Sequence, residues 1–278
     1  MKRETKMKRK DTTTTKENVY KSNRNQTKNT IQSSTKRITG GSIPVSECRM
    51  TTSRHSFDTN PLDHCETPKR AYMNIQNVLM KIGKERNQGN DVRIWDPYYC
   101  DGSVQRHLQE LGFRNILHEN QDFYQRIEGN KEDIPPHDIF LTNPPYSGNH
   151  IERLLTYLKT TQQPFCVLLP NWVARKVEYK TWLSDSKLVI YLSPIVSYTY
   201  CMPSWTTTMD RPDHVGPDGH TTPYQSSWYI HAGSDHSTEC LLEELNGIPQ
   251  KEWVVAKTIR GLKWKIQKQV GRNKSKKR

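Results

Sequence analysis

The amino-acid sequence predicts an α/β domain built on a mostly parallel, twisted sheet with helices on both faces. Short apolar runs, typical of buried strands, alternate with segments whose apolar residues recur at helical spacing. Several of the runs are followed by polar residues and then by Gly or Pro, which mark turns. Strands that alternate with helices form parallel sheets, because each helix carries the chain back along one face.

Three amphipathic helices are predicted. The first begins at Thr67-Pro68, since Pro is favoured at a helix start, and ends near Gly83. The second begins at Ser103 and closes at Gly112, and the third covers 151–158.

Six runs are predicted to be strands. They are 91–95, 113–118, 138–142, 164–170, 188–192 and 226–230. Residues 241–261 add either a helix or a further strand. No internal repeat is present.

Composition divides the chain into a central domain and two tails. Residues 1–59 are rich in Lys, Thr, Asn and Ser and are expected to be a disordered basic tail. The domain is expected over 60–261, with an irregular insertion at 203–225, and 262–278 forms a basic C-terminal tail. The mean hydropathy of −0.90 agrees with substantial disorder.

The net charge of +13 is concentrated in these tails. Residues 1–40 hold 12 Lys+Arg and 3 acids, and 262–278 hold 8 Lys+Arg and no acid, so the remaining middle has a net charge of −4. Basic tails are typical of nucleic-acid arms or nuclear import signals, such as Lys8-Arg9-Lys10. A solvated tail that only aids solubility is the alternative.

The sequence predicts a nuclear or cytoplasmic protein, with an organellar transit peptide as the alternative. No run is long enough to span a membrane, and the basic start lacks the apolar segment of a secretory signal. Six scattered cysteines without a CxxC pair suit reduced thiols, and no metal site is predicted.

Polar residues follow three of the predicted strands. Asp96 follows the first strand, six residues before Gly102, and Glu119 follows the second. The run 138–142 leads into Asn143-Pro144-Pro145-Tyr146, where each Pro restricts the residue before it. Ligands of open α/β sheets bind at the carboxyl ends of strands, so a nucleotide-type site is expected here. Helix capping and a plain loop are the structural alternatives.

These residues resemble the class I S-adenosylmethionine-dependent methyltransferases that carry an Asn-Pro-Pro-Tyr motif, including methyltransferase-like proteins of unicellular eukaryotes. The similarity covers about residues 60–235, and the matching pieces are Thr67-Pro68, 96–102, Glu119 with Asp122-Phe123, and 143–146. It implies a Rossmann-like seven-stranded fold, the cofactor S-adenosyl-L-methionine and methyl transfer to an amino nitrogen. The first motif departs from the family, because only Gly102 remains where several glycines are usual.

The resemblance also implies roles for single residues. In the motif 143–146, the Asn143 side-chain carbonyl and the Pro144 backbone carbonyl would accept hydrogen bonds from the target amino group, Pro145 would stiffen the turn, and Tyr146 would stack on the target. The cofactor residues divide by the part of the cofactor they would contact: Asp96 and Gly102 the methionine part, Glu119 the ribose, Asp122 and Phe123 the adenine, with Thr67 and Pro68 closing over it.

The leading interpretation is methyl transfer to nucleic acid, with adenine N6 in RNA or DNA as the foremost target. A protein glutamine amide offers the same kind of NH₂ group, and a binding module that has lost the cofactor is the third interpretation. A protein partner is compatible with all three, and the sequence does not determine the oligomeric state. Other aromatic residues are expected mainly to pack: Tyr72, Tyr198, Tyr200 and Trp205, with Trp172 equally suited to a target pocket.

Overall fold

A seven-stranded mixed sheet lies at the centre of the fold in the computed structural model. The part of the chain that the structure describes contains nine strands, numbered in chain order: β1 (Arg93–Trp95), β2 (Asn115–Leu117), β3 (Ile139–Thr142), β4 (Phe165–Pro170), β5 (Ile190–Pro194), β6 (Tyr200–Cys201), β7 (His220–Thr221), β8 (Ser226–His231) and β9 (Trp253–Ala256). The sheet has the order β2-β1-β3-β4-β8-β5-β9, and β6 pairs with β7 in a separate ribbon.

Most strands of the sheet run in one direction. The pairs β1–β2, β1–β3 and β3–β4 are parallel, whereas β8 is antiparallel to both β4 and β5, and β9 is antiparallel to β5. Strands β1 to β5 therefore point the same way and β8 and β9 point the opposite way. The predicted α/β class with a mostly parallel sheet is confirmed.

The described residues form six α-helices, of which the first precedes β1 and the last follows β9. They are α1 (Lys69–Glu85), α2 (Ser103–Glu110), α3 (Phe123–Glu128), α4 (His150–Thr160), α5 (Asp235–Gly247) and α6 (Ile259–Ser275). Single 3₁₀ turns lie at Gly89–Asp91, Lys131–Asp133 and Val173–Arg175, and a π-helical turn spans Lys180–Ser184.

Helices cover both faces of the sheet because its strands are apolar on both sides. Ile94 and Leu141 pack with α1, α2 and α5 in one core. Their neighbours Trp95 and Phe140 point to the opposite face, where they pack with α3, α4 and α6. This alternation follows from the two-residue period of a strand.

All six predicted strands are present, shifted by at most a few residues at their ends. The segment 241–261, for which a helix or a strand was expected, contains the end of α5, all of β9 and the start of α6. The boundary expected at 261/262 falls inside α6, because Ile259 and Leu262 are buried against the sheet and hold this helix to the domain.

The structure describes residues 55–57, 59–60, 63–203, 219–221, 224–249 and 251–275, all within the compact unit Thr51–Arg278. Most of the predicted N-terminal tail, including Lys8-Arg9-Lys10, lies outside these residues, as do 204–218 of the predicted insertion and 276–278. His55, near the end of the predicted tail, is described and buried. No helix in the described part of the chain is both long and apolar enough to cross a membrane.

Candidate functional site

The ends of β1 and β3 meet at a buried carboxylate. The Thr142 hydroxyl, on the last residue of β3, donates to Asp96 Oδ1 at 2.7 Å. The backbone N–H of Tyr98 donates to the same oxygen at 3.2 Å. The two predicted strand-end features are therefore joined directly, since Asn143 follows Thr142 in the chain.

Asp96 is almost fully shielded from water, with 4% of its surface exposed. Burial raises the pKa of this carboxyl to about 6, although His118 and the hydrogen bond from Thr142 act in the opposite direction. The His118 ring contacts the backbone carbonyl of Asp96 at 3.0 Å. It also stacks on Tyr99, with 4.8 Å between ring centroids.

The turn between β1 and α2 depends on its one glycine. Gly102 has φ of +84°, and a Cβ there would also lie 3.1 Å from the Tyr99 hydroxyl. The Glu66 carboxylate holds this turn from outside, because it accepts from the backbone N–H of Asp101 at 2.6 Å and from the Ser103 hydroxyl. Sequence reasoning missed Glu66, since a single acid before Thr67-Pro68 carries no motif.

The Asn-Pro-Pro-Tyr turn forms an internal hydrogen bond. The Tyr146 hydroxyl donates to Asn143 Oδ1 at 2.6 Å and also contacts the Leu168 carbonyl oxygen at 3.2 Å. Burial raises the pKa of Tyr146, so its hydroxyl remains a neutral donor. Pro144 is buried, whereas Asn143 and Pro145 are partly exposed.

A cavity of about 380 Å³ opens beside this turn. Asn143 and Pro145 line it, together with Pro97 and Tyr98 from the turn after β1 and with Asp122 and Phe123 at the start of α3. Its outer wall comes from the segment before α1, which sequence reasoning did not include: Phe57, Thr59, Asn60, Asp63, His64 and Cys65.

Aromatic rings form the inner wall of this cavity. The Tyr98 ring lies 4.9 Å from the Phe123 ring, and its hydroxyl is 3.0 Å from the Tyr124 hydroxyl. Tyr124 in turn contacts His150 Nδ1 at 2.7 Å, and the Arg153 guanidinium lies 3.5 Å from the Tyr124 ring centre. The wall therefore combines flat apolar surfaces with polar tips held in a network.

Two acids expected in the site lie in different environments. The Glu119 side chain is 55% exposed and pairs with Arg126 at 2.5 Å, and it does not line the cavity. Asp122 does line the cavity, where its carboxylate also accepts from the backbone N–H of Tyr124 at 2.9 Å and caps α3.

Thr67, Asp96 and Gly102 border a second cavity of about 30 Å³, and Asn143 lies on the wall of both. A third cavity, of about 490 Å³, extends from Thr67, Pro68 and Gly102 to the base of the insertion. The β6–β7 ribbon closes that base, and Glu66 pairs with Cys201 of β6. The second cavity thus shares lining residues with each of the other two, among them Asn143 with the first, and Thr67 and Gly102 with the third.

The aromatic residues that were expected to pack do so where they are described. Tyr72, Tyr198 and Tyr200 are buried in the core on the α1 face. Trp172 packs partly buried at the edge of the opposite core, with the Lys176 ammonium 5.0 Å from its ring, and Trp205 lies outside the described residues.

Comparison with known proteins adds no family: no protein-family description matches the chain, and no curated protein is significantly similar to it. The chemistry of the site therefore has to be argued from its own residues. Those residues supply amide and carboxylate acceptors beside an aromatic cavity, which suits a flat ligand that carries hydrogen-bond donors.

Proposed function

We propose that the protein is an S-adenosylmethionine-dependent methyltransferase that acts on an amino nitrogen of nucleic acid, on a Rossmann-like fold of the class I type. One observation carries the proposal. Asn143 lines both the 380 Å³ cavity and the small cavity beside Asp96, and the hydrogen bond from Thr142 to Asp96 holds these strand ends together. Residues proposed to hold the methyl acceptor and residues proposed to hold the methyl donor therefore line the same cleft.

The strand order supports this placement. The chain passes from β1 to β2 on one side and then returns to β3 on the other side of β1. In open α/β sheets the ligand crevice lies where the order reverses, beyond the carboxyl ends of the strands. Asp96 and Asn143 follow the two strands at this point.

The larger cavity fits the adenosine part of the proposed cofactor. Its volume lies in the range of small-molecule sites, roughly 300–1,000 Å³. Tyr98 and Phe123 offer flat surfaces for adenine. Among the described residues, the acids that line the cavity are Asp63, Asp122 and Glu128, whose carboxylates can accept from ribose hydroxyls. Glu119 does not line it, so we do not retain the ribose role for that residue.

When bound, the cofactor would supply an electrophilic methyl group on its sulfonium sulfur, with a neutral thioether as the leaving group. This chain has to orient the lone pair of the target amino nitrogen. The Asn143 carbonyl oxygen has two acceptor sites, and Tyr146 occupies one of them. The other remains to accept an N–H of the target and to stabilise the positive charge that develops on nitrogen.

Nucleic acid is the proposed substrate because its bases offer planar exocyclic amino groups and because the chain is strongly basic. A glutamine amide in a protein presents the same kind of planar NH₂ group to Asn143 as a base does. The two substrates are separated by incubating the protein with labelled cofactor and total cell extract, followed by RNase, DNase or protease. Label that survives both nucleases and disappears with protease would refute the nucleic-acid assignment.

Asn143→Ala tests the catalytic role. We expect loss of methyl transfer while cofactor affinity changes little, because the other walls of the cavity remain. Asn171→Ala is the matched control, since Asn171 follows β4 but lines none of these cavities. Undiminished transfer by the Asn143 variant would contradict the assigned chemistry.

A binding module without cofactor is the second candidate, and two contacts favour it. Glu66 already occupies backbone and hydroxyl donors at the start of α2, and Glu119 is engaged by Arg126. Calorimetry with S-adenosyl-L-methionine separates the candidates. The absence of binding at about millimolar cofactor, which is the weak end of the usual range of substrate affinities, would favour the module.

A further inference from the structure

A second surface feature, lined by residues other than those of the candidate site, is a groove of about 790 Å³. Two chain segments line it: 174–191, which includes the π-helical turn, and 257–263 at the start of α6. The first segment begins four residues after β4 ends at Pro170, so one wall starts from the sheet edge that also carries Asn143.

The charge of this groove is of one sign. Six exposed cations line it: Arg175, Lys176, Lys180, Lys257, Arg260 and Lys263. Among the described residues no acid lines it: Glu178 and Asp185 belong to the same segment but are not part of its wall. Five of the six cations form no ion pair with the described residues, and Lys257 alone pairs, with Glu239 at 2.8 Å.

The charge continues along α6 beyond the groove. This helix has 17 residues and no acid, and at 1.5 Å per residue it is about 25 Å long. Trp264, next to Lys263, is 59% exposed on the same helix, with the Lys268 ammonium 4.8 Å from its ring. A cationic track of this length with an exposed indole matches a chain of phosphates and bases better than a single small anion.

We infer that this groove, continued by α6, binds the phosphate backbone of a single-stranded nucleic acid. The inference rests on the nucleic-acid part of the proposed function but not on methyl transfer. It also places the binding surface on the folded domain, where the count of charges along the sequence shows a net negative middle region. The fold groups cations on one surface of a region whose summed charge is negative.

The test uses the full-length protein and a fluorescent single-stranded RNA of about 20 nucleotides, with anisotropy measured over a salt series. The variant Lys176→Gln/Lys180→Gln/Lys263→Gln removes three exposed charges from the groove. We expect affinity to fall about tenfold or more and the salt slope to decrease by about 2, since each contact with a single strand contributes about 0.7.

The matched control is Lys84→Gln/Lys159→Gln/Lys251→Gln, which removes the same charge from exposed positions that lie neither in the groove lining nor on α6. Circular dichroism verifies that both variants fold. Equal affinities and slopes for the two variants would overturn the inference. So would a groove variant that loses binding to acidic lipid vesicles but keeps binding to RNA. Because no cofactor is present, a failed methyl-transfer assay leaves this result unaffected.

Discussion

The Thr142 hydroxyl and the Asp96 carboxylate are joined by a 2.7 Å hydrogen bond across the point where the strand order reverses. Both residues are buried, so the bond connects β3 to β1 in a region of low polarity. A buried acceptor that loses its donor carries the full cost of desolvation. This pair therefore influences both the stability of the fold and the shape of the cleft.

Thr142→Val keeps the shape of the side chain and removes the donor. We expect a loss of about 1–3 kcal/mol in the free energy of unfolding at neutral pH, because the Asp96 oxygen is left with weaker partners. Urea denaturation measures the change. Thr156→Val, on the exposed face of α4, serves as the control and should differ by no more than about 0.5 kcal/mol.

The raised pKa of Asp96 predicts a pH dependence of stability. Its pKa in the fold is about 6, above the usual 3.8, so the folded state holds the proton more tightly than the unfolded chain. The resulting stabilisation is present below about pH 4 and is lost as the pH rises through about 6. A rise of about two pKa units corresponds to about 3 kcal/mol in the free energy of unfolding.

Asp96→Asn removes this titration while keeping an acceptor for Thr142. We expect the variant to be more stable than the natural protein near pH 8 and to lose its advantage as the pH falls toward about 4. Urea denaturation across this range gives the difference in free energy of unfolding between the two proteins. The contributions of the other titrating groups are the same in both proteins and cancel in this difference. Parallel stability curves would show that the Asp96 carboxyl is not the group responsible.

Tyr146→Phe tests the hydrogen bond to Asn143. If Asn143 orients the target amino group, loss of the Tyr146 hydroxyl lets the Asn143 side-chain amide rotate. We therefore expect kcat to fall about tenfold, with KM changed by less than about threefold. Tyr224→Phe is the control, because Tyr224 packs 6.1 Å from the Tyr146 ring but is exposed. Equal kcat values for the two variants would exclude a positioning role for the hydroxyl.

Glu119 and Asp122 are expected to differ in cofactor binding. Glu119→Gln should change affinity by less than about twofold, because its carboxylate pairs with Arg126 outside the cavity. Asp122→Ala removes the cap of α3, so stability should fall by about 1 kcal/mol and affinity should weaken with it. Calorimetry measures both, and a large loss in the Glu119 variant would restore its predicted ribose role.

The sequence was sufficient to predict six of the strands and the polar residues that follow three of them, but not the short strands β6 and β7. Runs such as 164–170 are apolar at every position, which is typical of strands buried on both faces. Asp96 and Asn143 were expected to lie together because the carboxyl ends of neighbouring parallel strands share one edge. Their proximity is confirmed by the contact through Thr142.

Side-chain direction and long-range partners were beyond the reach of local patterns. The orientation of Glu119 is set by Arg126, and the hold of Glu66 on the α2 turn joins residues more than 30 positions apart. The groove likewise depends on bringing 174–191 beside 257–263. Such contacts arise only when the whole chain is folded, so neither composition nor periodicity contains them.

The strand order also dictates the sequence in which the sheet is completed during synthesis. Once Pro170 has left the ribosome, β2, β1, β3 and β4 all have partners. Strand β5 is made next, yet it pairs only with β8 and β9, which are synthesised later. The nascent chain must therefore keep the apolar strand Ile190–Pro194 without its sheet partners until His231 has emerged, an interval in which a chaperone has a natural target.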